Sequence, residues 1–323
     1  MDDRSATPLI RPLFAIPLGI TAVSTASIFI RFAQGYASSL TVAAFRLGLA
    51  VIFLAPFVLF RHRKEISSLK PREWRFAFLS GTFLALHFAT WITSLEYTSV
   101  ASSVVLVSTS PLWVALLAPL FLEERISRVL LVGMSLAFIG GAMVGLSDSC
   151  QWTMKGLICP SWAAFIQGEA LLGDVLALLG ALTGAGYLMV GRHLRAKMSL
   201  FPYIFVVYGV AAVVLIAAML IVDGVPAGFP PKVYVWFILL AVVPQILGHS
   251  IFNWALRYVS TAFVSVTLLG EPVGSAVLAY IFLGERPGLM KIFGAILILI
   301  GILISSRKGR TPLEGKEGRR IRG

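Results

Sequence analysis

The chain carries one stretch of sequence twice. Adding 161 to the numbers of Tyr97, Ala101, Pro111, Phe121-Leu122, Glu124, Arg125, Gly133 and Gly140 lands on Tyr258, Ala262, Pro272, Phe282-Leu283, Glu285, Arg286, Gly294 and Gly301, without a gap. Leu95, Ser99, Val105, Ala115, Leu117, Ala118, Leu136 and Ile139 also meet identical partners under that shift. Each copy reads as an apolar helix kinked at proline, a tight Glu-Arg turn, and a second apolar helix whose glycines permit close packing. A chain duplicated in this way folds as two similar halves packed against each other.

Composition identifies the solvent of those halves. The 323 residues are 58% hydrophobic and only 13% charged, with mean hydropathy +0.89. Soluble domains are about a quarter charged, and apolar runs of about 20 residues recur along the chain, so this is an all-α polytopic membrane protein. The pattern predicts ten transmembrane helices, at 12–30, 40–60, 74–95, 99–121, 128–147, 171–191, 202–222, 232–254, 260–283 and 289–305. An N-terminal segment 1–11 precedes the first five-helix repeat, 12–147. An outer loop, 148–170, leads to the second repeat, 171–305, and a basic tail, 306–323, follows. The first span is not a cleaved signal peptide, because the shift lays it over the sixth span and Arg31 over Arg192.

Charge sets the orientation. With the N-terminus inside, 21 of the 27 Lys and Arg residues fall on the cytoplasmic side, including Arg61, Arg63, Lys64, Lys70, Arg72 and Arg75. Only Arg31, Arg46, Lys155, Lys232, Arg286 and Lys291 fall outside or in the outer half, as the positive-inside rule expects. Both termini are then cytoplasmic, and the net charge of +12 is a topology signal rather than a mark of nucleic-acid binding. Five spans per half is an odd number, so the second repeat enters the membrane upside down. The basic 61–75 loop accordingly corresponds to a 223–234 loop that carries only Lys232. Two inverted repeats are characteristic of transporters, because halves related by an in-plane axis can exchange shapes and open to either side.

The twice-occurring Pro, Glu and glycine pattern resembles the EamA domain of the drug/metabolite transporter superfamily. So does the segment Gly173-Asp174-Val175-Leu176-Ala177-Leu178 that opens the sixth span and ends at Gly191-Arg192-His193-Leu194-Arg195. The resemblance covers about residues 12–305. It implies ten helices in two inverted repeats, a central cavity, and transport of small metabolites such as amino acids across the bacterial inner (plasma) membrane. The outer loop 147–170 is longer than the family pattern leads one to expect.

Polar residues inside apolar spans mark the candidate site. Glu271 stands directly before Pro272, and a carboxylate at such a depth costs about 2.5–3.5 kcal/mol unless paired, protonated or wet. Pro272 should free the carbonyl of Leu268 beside it. Two roles fit the acid: proton coupling or amine binding, and structural support of the kink. Gln245, His249 and Asn253 recur at i, i+4 and i+8 behind Pro244, and His87, Trp91 and Ser94 share similar spacing on the third span. Both faces should turn away from lipid, either lining a cavity or bonding helix to helix. Ser110 (the counterpart of Glu271), Thr267 and Tyr187 complete the candidate cavity lining. Two roles fit Arg46, attraction of a carboxylate and snorkelling toward the outer interface, and the second is the one expected.

Glu124-Arg125 and Glu285-Arg286 are expected to fix the hairpin turns, each Glu suiting the dipole of the helix that follows. Pro111 and Pro272 set the kinks. Cys150 and Cys159 would face an oxidising exterior, which permits a disulfide without requiring one. No nucleotide loop, metal-ligand spacing or nucleophile-base pair stands out, so neither an enzyme nor a cofactor is expected. The expected partners are a small-molecule solute, protons as a coupling ion, and membrane lipid; nothing requires a homo-oligomer. The topology is testable by single-cysteine accessibility in intact cells. Positions in 61–75 should resist an impermeant thiol reagent, whereas positions in 223–234 should react; equal labelling would break the inverted arrangement.

Overall fold

A computed structural model of the chain describes residues 12–122, 128–149, 151–153, 156–158, 168–226, 228–255, 267–268 and 270–306. Hydrocarbon offers the backbone no partners, so these apolar runs satisfy themselves as helices. The first half forms α1 Pro12–Ser24, α2 Ala26–Gln34, α3 Ser39–Arg61, α4 Arg63–Ser67, α5 Pro71–Tyr97, α6 Val100–Val107, α7 Ser110–Leu122 and α8 Arg128–Ser149. The second half forms α9 Glu169–Arg195, α10 Leu200–Val222, α11 Pro231–Leu240, a π-helical stretch Ala241–His249, α12 Ser250–Ala255, α13 Gly270–Leu283 and α14 Leu289–Ser306. Between the halves, Gln151–Thr153 (β1) pairs antiparallel with Gly156–Ile158 (β2) in a small hairpin that periodicity had not indicated.

Among the described residues, six helical segments are long and apolar enough to cross a membrane: 15–34, 39–61, 71–97, 169–195, 200–222 and 231–255. Shorter apolar helices occupy 100–114, 135–144, 270–283 and 289–301. Side chains such as Phe60, Phe138 and Ile221 stand almost fully exposed, as expected of surface made for lipid.

Capping sets several boundaries. Ser38 accepts from the Thr41 N–H at 3.2 Å to open α3, and Ser99 accepts from the Ser102 N–H at 3.2 Å to open α6. Pro71 starts α5, where Glu73 accepts from the Lys70 N–H at 2.8 Å. Pro111 and Pro272 lie in the first turns of α7 and α13, where a missing N–H is tolerated. They begin half-helices rather than bend continuous ones. The Leu268 carbonyl is consequently not free, since it accepts from the Glu271 N–H at 2.9 Å. Hydroxyls turned back onto the preceding turn accompany the other breaks: Ser24 onto Ile20 at 2.8 Å, and Ser108 onto Val104 at 2.7 Å.

Packing between the halves repeats itself under the 161-residue shift. The α8–α14 contact places Gly140 against Gly294 and Gly133 against Gly301, so the two helices run antiparallel. Gly133 and Gly140 are the shift partners of Gly294 and Gly301, hence each residue meets the counterpart of the other. That reciprocity is the mark of a two-fold contact. A second case is α9 on α5, where Gly180 abuts Thr90 and Trp91. Its mate is α1 on α12, where Gly19 abuts Ile251 and Phe252, all three displaced by 161. A Cβ built on Gly140 would lie 2.5 Å from the Gly294 carbonyl oxygen, on backbone that cannot swing aside. Gly140→Val should therefore destabilise the protein by about 1–3 kcal/mol, read as a lower melting temperature in detergent. An unchanged value would mean that the α8–α14 seam is not close-packed.

Candidate functional site

A cluster of polar side chains lies where α3, α5, α10, the π-helical stretch and α13 meet. Its centre is Arg46 of α3, which is 0% exposed. The expectation that this side chain snorkels outward is therefore corrected: it lies too far along α3 and is roofed by aromatic rings. Its guanidinium carbon sits 4.1 Å from the Phe88 ring centre and 5.7 Å from that of Trp91. Its Nε donates to Gln245 Oε1 at 2.8 Å, while Nη1 and Nη2 are buried without a protein partner. Glu271, in the first turn of α13, is half-buried and lies close enough to Arg46 for their charges to interact. The two form no direct ion pair. The Trp91 indole Nε1 is also buried and unpartnered.

The third-span face behaves as a unit. His87 Nδ1 donates to the Gly180 carbonyl at 2.8 Å, which a carbonyl partner requires, leaving Nε2 as the ring's acceptor. Its imidazole stacks on Trp91 at 5.9 Å and 24°. Gly180 and Gly184 let α9 approach this face; a Cβ on Gly184 would come within 2.9 Å of His87 Nδ1. Ser94 sits deeper in the α5–α6 contact, 2.6 Å from Ser103 Oγ, and serves helix packing.

The eighth-span face divides. Gln245 is wholly buried against Arg46, and His249 is half-buried, edge-on to Phe88 at 5.6 Å. Asn253 belongs to a second polar knot. Its Oδ1 accepts from the Tyr187 hydroxyl at 2.8 Å, and its Nδ2 donates to the Tyr208 hydroxyl at 3.3 Å. Its carbonyl accepts from Arg195 Nε at 3.1 Å. The widened backbone of the π-helical stretch, around Pro244, carries both Gln245 and His249, and such stretches commonly occur at functional sites. Ser110 donates to the Val107 carbonyl at 2.9 Å at the head of α7, and Thr267 is half-buried. The structure thus gathers His87, Trp91, Gln245 and His249 around Arg46, with Glu271 opposed to it, and holds Tyr187 and Asn253 in the neighbouring knot. Sequence reasoning misplaced Arg46 and passed over Tyr208, although a charge inside an apolar helix was itself the signal.

Both ends of the bundle are tied. At one, Glu65 accepts from the Ser199 N–H at 2.7 Å and from its hydroxyl at 2.6 Å, and Lys197 pairs with Glu73 at 3.5 Å. At the other, Ser39 donates to Glu96 at 2.6 Å, and Asp223 accepts from Ser38 and Thr41. Glu285 sits at this end but does not simply serve the helix after it. It accepts from the Val100 N–H at 3.0 Å, capping α6, and pairs with Arg31 at 3.6 Å. Arg286 is exposed. Glu124, Arg125, Cys150 and Cys159 lie outside the described residues. Among the described residues no three His, Cys, Asp or Glu side chains converge on a point. A groove of about 390 Å³ between α5 and α10 lies apart from the cluster and is lined by Trp74, Phe78, Phe205 and Val210, which suits acyl chains rather than polar solute.

Comparison with known proteins agrees with this architecture. The sequence model of the EamA-like transporter family matches residues 11–146 and again 171–307. An uncharacterized transporter of Archaeoglobus fulgidus is 24% identical over 294 residues, covering 91% of this chain and 96% of the relative. The pseudopaline exporter CntI of Pseudomonas aeruginosa is 27% identical over 228 residues, covering 70% of this chain and 73% of the relative. A solved crystal structure superimposes with a TM-score of 0.62 at 15% identity, covering 93% of this chain and 99% of that one, a likeness of fold alone. The names belong to transporters rather than enzymes.

The Tyr187–Asn253 bond is open to a double-mutant cycle. Tyr187→Phe and Asn253→Leu, singly and together, should show a coupling of about 0.6–1.7 kcal/mol in unfolding, the span found for hydrogen bonds between membrane helices. Additive losses would mean the two side chains do not interact.

Proposed function

Because the chain belongs to the EamA-like transporter family, we propose that it is a secondary transporter exporting small metabolites, such as amino acids or related compounds, by alternating access. The observation that carries this reading is the enclosed cluster of Arg46, Gln245, His87, Trp91 and Glu271, held between two tied ends. Charged and polar groups at such depth are expensive and mark solute or ion pathways. The six long and four shorter apolar helices make up ten spans in two inverted five-helix repeats, 12–147 and 171–305. The reciprocal glycine contacts support that arrangement. Both termini face the cytoplasm of a cell whose plasma membrane holds the protein. Outward movement is favoured by the relative named as an exporter.

Alternating access in this frame is an exchange of shape between the halves about the α8–α14 seam. One polar end opens while the other stays latched, and the cluster meets each side in turn. Glu271 begins a half-helix, so it can gain or lose a proton as α13 shifts against α1, to which the Ser24 hydroxyl (donating to the Glu271 carbonyl, 3.4 Å) and the Ser275 hydroxyl (donating to the Ser24 carbonyl, 3.1 Å) tie it. His87, His249, Ser110 and Thr267 complete the lining, and Tyr187 and Asn253 brace it.

The decisive experiment is solute uptake into proteoliposomes across an amino-acid and metabolite panel, with and without a pH gradient. Gradient-driven accumulation is expected, and Glu271→Gln should abolish it while leaving the protein folded. Accumulation unchanged in Glu271→Gln removes the coupling role. Equilibration that ignores the gradient in the unaltered protein makes it a facilitator. Binding without flux for every solute makes it a receptor.

A further inference from the structure

We propose that Arg46 is the carboxylate-binding residue of the transport site, its free Nη1–Nη2 edge receiving both oxygens of a small carboxylic acid. The inference deepens the transporter reading and rests on it for the solute's passage, though not for its binding. Three observations point the same way. Arg46 is wholly buried, and Gln245 takes its Nε at 2.8 Å, which fixes the plane of the guanidinium and leaves one edge over. Both nitrogens of that edge lack a protein partner. The Trp91 indole, its ring centred 5.7 Å from the guanidinium carbon, offers a further buried and unpartnered N–H.

The buried nitrogens left without a partner on Arg46, Trp91 and Gln245 are donors only. A guanidinium and an indole can give hydrogen bonds but accept none, so what completes them is an acceptor. Two parallel N–H groups on one edge match the two oxygens of a carboxylate, a bidentate geometry that lysine cannot reproduce. Phe88, 4.1 Å away, closes one face of the guanidinium, so the acid must approach in the plane of the free edge.

Charge counting narrows the class. Arg46 brings one positive charge to the cluster, and Glu271, when ionised, brings one negative charge. A bound monocarboxylate keeps the site neutral in two ways: the solute carries an ammonium that meets Glu271, or Glu271 takes up a proton as an anionic acid enters. Amino acids exemplify the first route and simple monocarboxylic acids such as lactate the second. A phosphate dianion would leave more negative charge than either route offsets, which disfavours phosphate esters in a site buried from water.

The test uses the full-length protein, purified in detergent for binding and in liposomes for flux. The probes are the proteinogenic L-amino acids, lactate and pyruvate, each compared with its carboxamide or, for the amino acids, its decarboxylated amine, and binding is read by calorimetry. An acid that binds should do so at least about tenfold tighter than its amide, the worth of a buried charge-assisted hydrogen bond. Arg46→Gln should reduce that ratio to less than about twofold. Arg46→Lys, which keeps the charge, should retain a weakened preference, and Trp91→Phe should shrink the ratio several-fold while preserving the packing. A residue with a purely structural role would lower binding of acid and amide together and leave their ratio alone.

The proposal is overturned if no acid in the panel outcompetes its amide, or if Arg46→Gln keeps the discrimination. Flux confined to cationic or uncharged solutes likewise overturns it while leaving the transporter reading intact. Arg46-dependent binding of an acid that is never transported does the reverse: the carboxylate site stands and the transporter reading falls.

Discussion

A guanidinium in hydrocarbon must be enclosed by protein, and the interior of this molecule is arranged around that requirement. Arg46 cannot reach the interface, so α5 covers it with Phe88 and Trp91, and the π-helical stretch supplies Gln245 to hold its Nε. Glu271, at the head of α13, offsets its charge when ionised. Removing water from a charge costs several kcal/mol even after the protein relaxes, and that cost is met only while these elements stay together. The polar ties at the two ends, Glu65 to Ser199 and Ser39 to Glu96, therefore close off the ends of the bundle that holds the charge. In the proposed cycle, opening one end would change what surrounds Arg46 and so link the shape of the bundle to the occupancy of its centre.

Irregular backbone is concentrated around the same centre. The α1–α2 break, the α6–α7 break, the π-helical stretch and the start of α13 fall within apolar segments, where unsatisfied backbone would be expensive if it faced lipid. Each break is met by a hydroxyl, as with Ser24, Thr25, Ser108 and Thr109, or by an adjusted backbone bond, as from Glu271 N to Leu268 O. By contrast α8 and α14 run uninterrupted and pack glycine to glycine.

The large-scale plan was legible because the forces that set it act along the sequence. Apolar run length reports hydrocarbon thickness, and the 161-residue identity reports the duplication directly. Gln245, His249 and Asn253 could be read as one inward face because lipid forbids the alternative. The spacing could not show that Asn253 would belong to Tyr187 and Tyr208 rather than to Gln245, since that depends on how α9 and α10 lie across the face. Arg46 was misread because snorkelling and burial share a sequence signature; what separates them is the position of Phe88, Trp91 and Gln245, tens to hundreds of residues away. Glu285 capping α6 is another contact over a long separation, invisible to any rule about the adjacent turn. Pro272 signalled a disruption correctly, but only the three-dimensional path shows that it starts a helix and that the Leu268 carbonyl is already occupied.

The frame is symmetric and its chemistry is not. Under the 161-residue shift Arg46 falls on Val207, Glu271 on Ser110, Gln245 on Leu84, His87 on Gly248 and His249 on Phe88. The glycines of the reciprocal contacts, Gly19 and Gly180, Gly133 and Gly294, Gly140 and Gly301, occur in both halves, while nearly every group in the polar cluster occurs in one half only. Electrostatics accounts for the difference. A two-fold axis through a shared centre would place a second guanidinium beside the first and a second carboxylate beside Glu271, setting like charges against each other where water cannot screen them. Packing contacts can be doubled at no such cost, because a glycine facing a glycine is equally favourable from either side. One guanidinium and one carboxylate, the first from one half and the second from the other, give a single polarised site that both halves share. In the proposed transport cycle such a site would present the same two groups to either side of the membrane while the frame around it exchanged shapes.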